Sequence, residues 1–479
     1  MPSTHKRPCR LYGTIGGIEL KLNVRLYGNS YCFSSVKEVL AKANEPKSGD
    51  ALAGVAAEND RERVAAKIAL SEMAVHDLRE NPSVPYEQDS VTRIIQDDLD
   101  EAAYRRIEGR TIGEMREWML DSATTGDDIL SASRGMTSEV IAGISKLMDN
   151  LDLIYASSKI EVRSHCNTDF GVKGCFASRL QPNHPTDEPA GVLASTLEGL
   201  SYGIGDALIG LNPATDSVEN TAAIMNLFYE TRLRYGIPTQ TCVLAHVTTQ
   251  MKAVRAGAKA DLCFQSIAGS EKALNSFGVS TDLLDEAQQL FLESGSGEGP
   301  NVMYFETGQA SELSSDAHFG ADQQTMESRC YGLARHYKPF LVNSVVGFMG
   351  PEYLYDGRQV TRAGLEDNFC ARVHGLPMGC DVCYTNHMKA DQNDMDNLTV
   401  LLASAGCNYV MGLPCGDDVM LMYQSNSFHD IACVRELLHL HPLPEFQAWM
   451  ERMGIWQDNR LTPRAGDASL FMNLKKGAF

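Results

Sequence analysis

The chain has 479 residues, 62 acidic against 42 basic, and a formal net charge of −20. Apolar residues make up 43% and charged residues 22%, the balance of a folded globular chain and not of a disordered one. The acidic excess argues against nucleic acid or an anionic membrane as the main partner, because both demand clustered Lys and Arg, and it leaves a small cationic substrate open. The length suits two or three ordinary domains, or one barrel of about 250 residues with flanking pieces. Thirteen cysteines, an odd number without a dense framework, read as reduced and mostly buried. The longest apolar stretch, residues 398–410, is broken by Gly406 and Asn408 and falls short of the roughly 20 residues of a membrane helix. The N-terminus lacks a secretory apolar region but carries Lys6, Arg7 and Arg10 with no acid before Glu19, so residues 1–19 read as a basic, disordered extension.

Residues 20–150 read as helical. Ser35 with Glu38, and Thr111 with Glu114, have the spacing of capping boxes, in which a hydroxyl and a carboxylate satisfy the orphan donors of a helix start. Between them, Val64 with Ile68 and Ile95 with Leu99 keep amphipathic i, i+4 spacing. From residue 150 the rhythm changes to short apolar strands alternating with helices. Nine strands are expected, at 153–156, 175–180, 207–211, 241–245, 262–264, 302–305, 340–342, 382–384 and 408–410. One is spare, and the first is the candidate. Asp216 and Glu219 read as the cap of a helix that Gly236 and Pro238 stop.

Polar side chains follow successive strands: Arg179 and Gln181, Asn212, His246, Gln265 and Ser266, Glu306, Asn343 and Ser344, then Asp381 and Met411. Polar groups at successive strand ends mark the catalytic rim of a (β/α)₈ TIM barrel, whereas an open doubly wound sheet gathers them at one switch point. The expected organisation is therefore α/β: a helical region over 20–150, a (β/α)₈ catalytic barrel over 151–425, and a short C-terminal helical extension over 426–479. Within that extension residues 443–453 read as a helix with Phe446, Met450 and Met453 inward and Gly454 as its stop.

The usual site motifs are weak here. Cys380 and Cys383 form a C-x-x-C without a second ligand pair, so two buried thiols flanking a rim aspartate is the preferred reading. Gly203 and Gly205 precede a strand instead of following one, which spoils a dinucleotide fingerprint. Asp391, Asn393, Asp394 and Asp396 lack the glycine and glutamate of a calcium loop and read as a solvated helix start. His439 and His441 fall beyond the barrel and read as surface residues. No metal ligation by protein side chains is expected. Asp316-Ala317-His318-Phe319-Gly320 falls near, without matching, the D-x-H-x-x-G pattern that places a histidine on cobalamin. The sharper signal is Glu306 and Asp381 beside the neutral amides Gln181 and Asn212. Two carboxylates pair with an ammonium while amides orient a hydroxyl, a set suited to a small amino alcohol. Spacing alone does not name the reaction.

Longer strings carry a resemblance. Arg179-Leu180-Gln181-Pro182-Asn183, Leu211-Asn212-Pro213, Leu244-Ala245-His246-Val247-Thr248-Thr249-Gln250, Tyr304-Phe305-Glu306-Thr307-Gly308-Gln309 and Gly350-Pro351-Glu352-Tyr353-Leu354-Tyr355 occur in fixed order, with further matches from about Leu20 to Phe471. Nearly the whole chain thus resembles the large (heavy) subunits of adenosylcobalamin-dependent ethanolamine ammonia-lyases. The resemblance implies radical deamination of ethanolamine to acetaldehyde and ammonia. It places Arg179, Gln181, Asn212, Glu306 and Asp381 on substrate. It places Pro213, Gln265, Ser266, Ser314 and Met420 at the cobalamin, and Phe277, Met411 and Leu421 as apolar lining. It further implies a small (light) subunit that completes the cofactor site, homodimers of large subunits within a larger hetero-oligomer, and a cytoplasmic location, in bacteria often inside a microcompartment. Two rival readings stay open beside it: a cofactor-free barrel lyase or aldolase with Glu306 as general base, and a non-enzymatic partner that keeps the fold.

Overall fold

The computed structural model describes residues 13–15, 18–20, 22–419 and 422–472. Eight strands, all parallel, form the central sheet: β1 (Ala177–Leu180), β2 (Leu208–Leu211), β3 (Thr241–Val243), β4 (Cys263–Ser266), β5 (Met303–Thr307), β6 (Leu341–Val345), β7 (Met378–Asp381) and β8 (Tyr409–Gly412). Strand β8 pairs with β1, so the order runs around a circle. The seam lies between β3 and β4, where Leu262 N–H donates to the Thr241 carbonyl at 3.3 Å. The Asp261 carboxylate reinforces it by accepting from both Thr241 N–H and hydroxyl. This is a (β/α)₈ barrel. The run 153–156, expected as a strand, lies inside the helix Asn150–Ser158, which Asp149 and Asp152 cap reciprocally. Seven of the other eight expected strands overlap the barrel strands; the eighth, expected at 382–384, falls just after β7, which ends at Asp381.

Its outer helices are α1 (Pro189–Ser201), α2 (Val218–Tyr235), α3 (Val247–Arg255), α4 (Thr281–Ser294), α5 (Gln323–Tyr337), α6 (Gly357–Val373), α7 (Gln392–Ser404) and α8 (Phe428–Leu438). The cap of α2 is Ser217 and not Asp216, whose carboxylate instead accepts from His246 N–H at 2.9 Å. Gly236 ends α2 in the left-handed region at φ 55°. Asp391 caps α7, with Asp394 reciprocating. His439 is the left-handed C-cap of α8.

The barrel's lower interior is filled, as short parallel strands require. Phe170, Phe340, Leu341, Tyr409 and Leu262 form one buried apolar cluster there. Phe170 reaches it from a hairpin of Ser164–His165 and Asp169–Phe170, and its ring lies 5.2 Å from Phe340 and 5.7 Å from Tyr409. Gly379 on β7 makes this possible, because a Cβ there would stand 1.9 Å from the Tyr409 ring.

The preceding region is helical as expected, but it opens with strands. Asn23–Leu26 pairs with Asn29–Cys32 about a Tyr27-Gly28 turn, and part of the extension expected to be disordered, Gly13–Ile15, pairs with Ile18–Leu20. The Thr111–Glu114 capping box forms in full. At Ser35 only half does, since Glu38 accepts from Ser34 N–H instead. Helix Asp60–Glu72 buries Ala65, Ala66, Ala69 and Leu70, leaving Val64 exposed, and Leu99 falls beyond the helix of Ile95. Buried ion pairs fasten this region to the barrel helices: Lys146 to Asp322 at 2.6 Å, Lys47 to Glu366 at 2.7 Å, and Arg329 to Asp89 and Glu139 at 2.8 and 2.7 Å. Such pairs stabilise only when further hydrogen bonds saturate them. Arg329 has those, donating also to Thr92 and to the Gly269 carbonyl. The C-terminal helix Pro444–Met453 buries Phe446, Met450 and Met453 and ends at Gly454, as expected. Among the described residues no helix is long and apolar enough to cross a membrane. Cys32 is disulfide-bonded, against the expectation of reduced cysteine throughout.

Candidate active site

The barrel's alternation points every second residue inward, so consecutive strands deliver side chains to one rim. Arg179, near the end of β1, stands at its centre. It is fully buried, and its Nη1 donates to Glu306 Oε1 at 2.8 Å and to the Tyr304 hydroxyl at 2.7 Å, with Met411 Sδ at 3.6 Å. Its Nη2 donates to Asn212 Oδ1 at 3.0 Å. Gly210 on β2 leaves room for the guanidinium, because a Cβ there would come within 2.9 Å of Nε. Burial opposes the charge, but Tyr304 and Glu306 beside it more than offset that and hold the Arg179 pKa above its ordinary value. Arg179 is a permanent cation. The Tyr304 phenol, pushed well above its usual pKa by burial, stays neutral and donates a hydrogen bond to Glu306 Oε1 at 2.6 Å.

Glu306 thus has one oxygen held by Arg179 and Tyr304, with Asn343 Nδ2 at 3.4 Å, and its side chain is the more open partner. It borders a rim cavity of about 360 Å³ that is also lined by Gln265, Ser266, Phe277 and Ser314. Ile267, Phe348 and Met349 give that cavity an apolar wall. Five residues singled out in the sequence therefore meet at one cavity. Gln265 is fixed at its edge by accepting from Val247 N–H at 3.0 Å. Pro213 follows Asn212 at the half-buried start of the next connection. Met420 and Leu421 lie outside the described residues.

Asp381, ending β7, is fully buried and accepts from Tyr423 hydroxyl at 2.6 Å and Ser425 hydroxyl at 2.5 Å. Burial raises its pKa to about 6 even though both hydroxyls favour the anion, and the Glu306 charge adds to the rise. Gln181 Nε2 donates to Asp418, which also takes a 3.2 Å bond from Asn183, while Gln181 Oε1 has no partner. Asn183 in turn accepts from Asn212 N–H at 2.9 Å. The segment after β8 therefore laces the rim through Asp418, Tyr423 and Ser425, three residues that sequence reasoning missed. Their one signal was polarity in a long connection after the last strand. Ser344, expected on the rim, turns outward to Asp367 at 2.6 Å. His246 caps α3. Cys380 and Cys383 are free and buried, and burial lifts both thiols well above their ordinary pKa.

Among the described residues, three buried polar atoms here lack partners: Arg179 Nε, Gln181 Oε1 and Asn343 Oδ1. Buried groups are normally satisfied, so such a gathering beside a cavity marks a place where a ligand's polar atoms belong. Fold and rim together define a (β/α)₈ barrel protein whose acidic, amide-lined rim suits a small cationic ligand. Comparison with known proteins is specific. The family described as ethanolamine ammonia lyase large subunit (EutB) matches residues 31–464. The ethanolamine ammonia-lyase large subunits of Escherichia coli and Salmonella typhimurium are each 57% identical over 452 residues, covering 94% of this chain and all of theirs. The chain belongs to the ethanolamine ammonia-lyase large-subunit family.

Proposed function

We propose that this chain is the catalytic subunit of an adenosylcobalamin-dependent ethanolamine ammonia-lyase, converting ethanolamine to acetaldehyde and ammonia. The observation that carries the reading is the presence, on one rim, of the carboxylates Glu306 and Asp381, the amides Asn212 and Gln181, and the permanent cation Arg179. The substrate's ammonium pairs with Glu306 and with ionised Asp381. Its hydroxyl takes the unpartnered Gln181 Oε1 as acceptor, with Asn212 alongside. Arg179 pairs with Glu306 and fixes its direction, so the carboxylate meets the amine preorganised. Met411 and Phe277 line the pocket against water.

The cavity's mix of hydroxyl, amide and apolar groups fits a nucleoside-bearing cofactor. Gln265, Ser266 and Ser314 would hold it, and the family resemblance adds Pro213 and Met420. When bound, adenosylcobalamin supplies the radical that removes and returns a hydrogen at the substrate carbon. The protein's part is to grip both ends of the substrate and retain the departing amine. A small subunit completing this site, and homodimers of large subunits in the larger assembly, belong to the same proposal, as does residence in the cytoplasm or a microcompartment. The test is acetaldehyde release from ethanolamine by this chain co-expressed with its small subunit, with and without adenosylcobalamin. Cofactor-dependent product is expected. Product without corrinoid would overturn the reading in favour of a cofactor-free lyase.

A further inference from the structure

The opposite end of the barrel holds a second, larger concavity, of about 680 Å³. Its barrel-side wall comprises Asn301, Pro339 and Pro377, from the segments leading into β5, β6 and β7, and the helical region closes it with Asp98 and Arg134. In a chain of net charge −20 this cleft is cationic. Arg134, Arg163, Arg335 and Lys338 line it, with His336, against the single carboxylate Asp98. Asp98 is engaged by His336 at 2.7 Å. Arg163 pairs with Glu161 at 2.7 Å, and Arg134 reaches Asp100 only at 3.8 Å. Arg335 is the telling member. Its Nη1 donates to the Ser133 carbonyl at 3.2 Å, yet no carboxylate among the described residues comes within ion-pair distance of it. Burial lowers its pKa, a pull that Asp98 only partly offsets and that Arg134 deepens. Gathering like charges around a half-buried guanidinium costs free energy, and an anion in the cleft would recover it.

We propose that this cleft binds a phosphate-bearing small anion. Guanidinium forks match phosphate oxygens two at a time, and Lys338 adds a mobile point charge at the mouth. The site stands apart from the rim and does not depend on the reaction proposed there. The test is calorimetric titration of the assembled large- and small-subunit complex with inorganic phosphate, pyrophosphate and a simple phosphomonoester in separate arms, with chloride at equal ionic strength as control. Saturable binding near one site per large subunit is expected, with the strongest arm distinguishing the free ion from an organic phosphate. Arg335→Gln and Lys338→Gln should each weaken it about tenfold, the loss of one charge-assisted contact. The exposed Lys338 variant guards against misfolding, and Lys173→Gln, outside the cleft, should change nothing. Non-saturable binding, or equal binding in all three variants, would overturn the proposal. So would binding to the isolated large subunit that vanishes on assembly, since another chain would then cover the cleft.

Discussion

The two ends of the barrel each bury an arginine against a carboxylate, and they do so differently. At the lower end Arg435 grips Asp206 with two 3.0 Å bonds and also donates to the Phe176 and Gly203 carbonyls. Asp206 also accepts from Ser178 N–H and hydroxyl and from Leu443 N–H. Neither residue has a buried polar atom without a partner. At the rim Arg179 and Glu306 form a pair of similar length, but Arg179 Nε and the neighbouring Gln181 and Asn343 oxygens are left over. The closed pair ties α8 to the segment before β2 and, through Asp206, to Ser178 on β1 and Leu443. An open one keeps capacity for a ligand. The difference is the one expected of barrels, whose lower face serves stability and whose upper face serves chemistry.

The largest expected effect breaks the closed pair. Arg435→Met leaves Asp206 buried without its cation, which should cost about 3–5 kcal/mol of stability by denaturant titration. The turnover of the molecules that remain folded should be unchanged. A loss of turnover at intact stability would erase the distinction between the two ends.

The next effect is a pH dependence confined to the rim. The pKa of Asp381 is raised to about 6. Because that lies above the unfolded value of about 4, protonated Asp381 favours the folded state at low pH, and this advantage is lost as pH climbs through about 6. A cationic substrate needs the ionised form. Its KM should therefore rise about tenfold per pH unit below about 6, and Asp381→Asn should flatten that limb of the profile. A smaller shift is expected for Tyr423→Phe, which removes one donor from the Asp381 anion. The bend should move to higher pH and kcat/KM should fall about tenfold above it. Glu286→Ala, at the exposed Arg255 pair, is the smallest, within about 0.5 kcal/mol of wild type by the same titration.

Most of the barrel is legible in the sequence because buried parallel strands are short apolar runs that end in polar residues. The run 153–156 misleads because four apolar residues suit a strand or a buried helix, and only Asp149 and Asp152 reveal the cap that decides it. The Tyr27-Gly28 turn was likewise a readable hairpin signal, hidden beside a basic segment with no clear alternation. At the rim, strand ends disclose Arg179, Asn212, Glu306 and Asp381, since position along a strand sets which way a side chain points. They do not separate Glu306, which faces the cavity, from Ser344, which faces Asp367. Asp418, Tyr423 and Ser425 lie in a connection without periodicity, so only the folded chain brings them to Gln181 and Asp381.

The most direct test of the open rim is acetaldehyde formation by the cofactor-loaded complex carrying Glu306→Gln, measured beside its thermal midpoint. The substitution keeps the shape and removes the charge that the substrate's ammonium and Arg179 share. Product formation should fall by about 10³-fold, the scale of losing a preorganised charged contact, with the midpoint lowered less than in Arg435→Met because Gln still accepts from Arg179. Full activity in that variant would contradict the account.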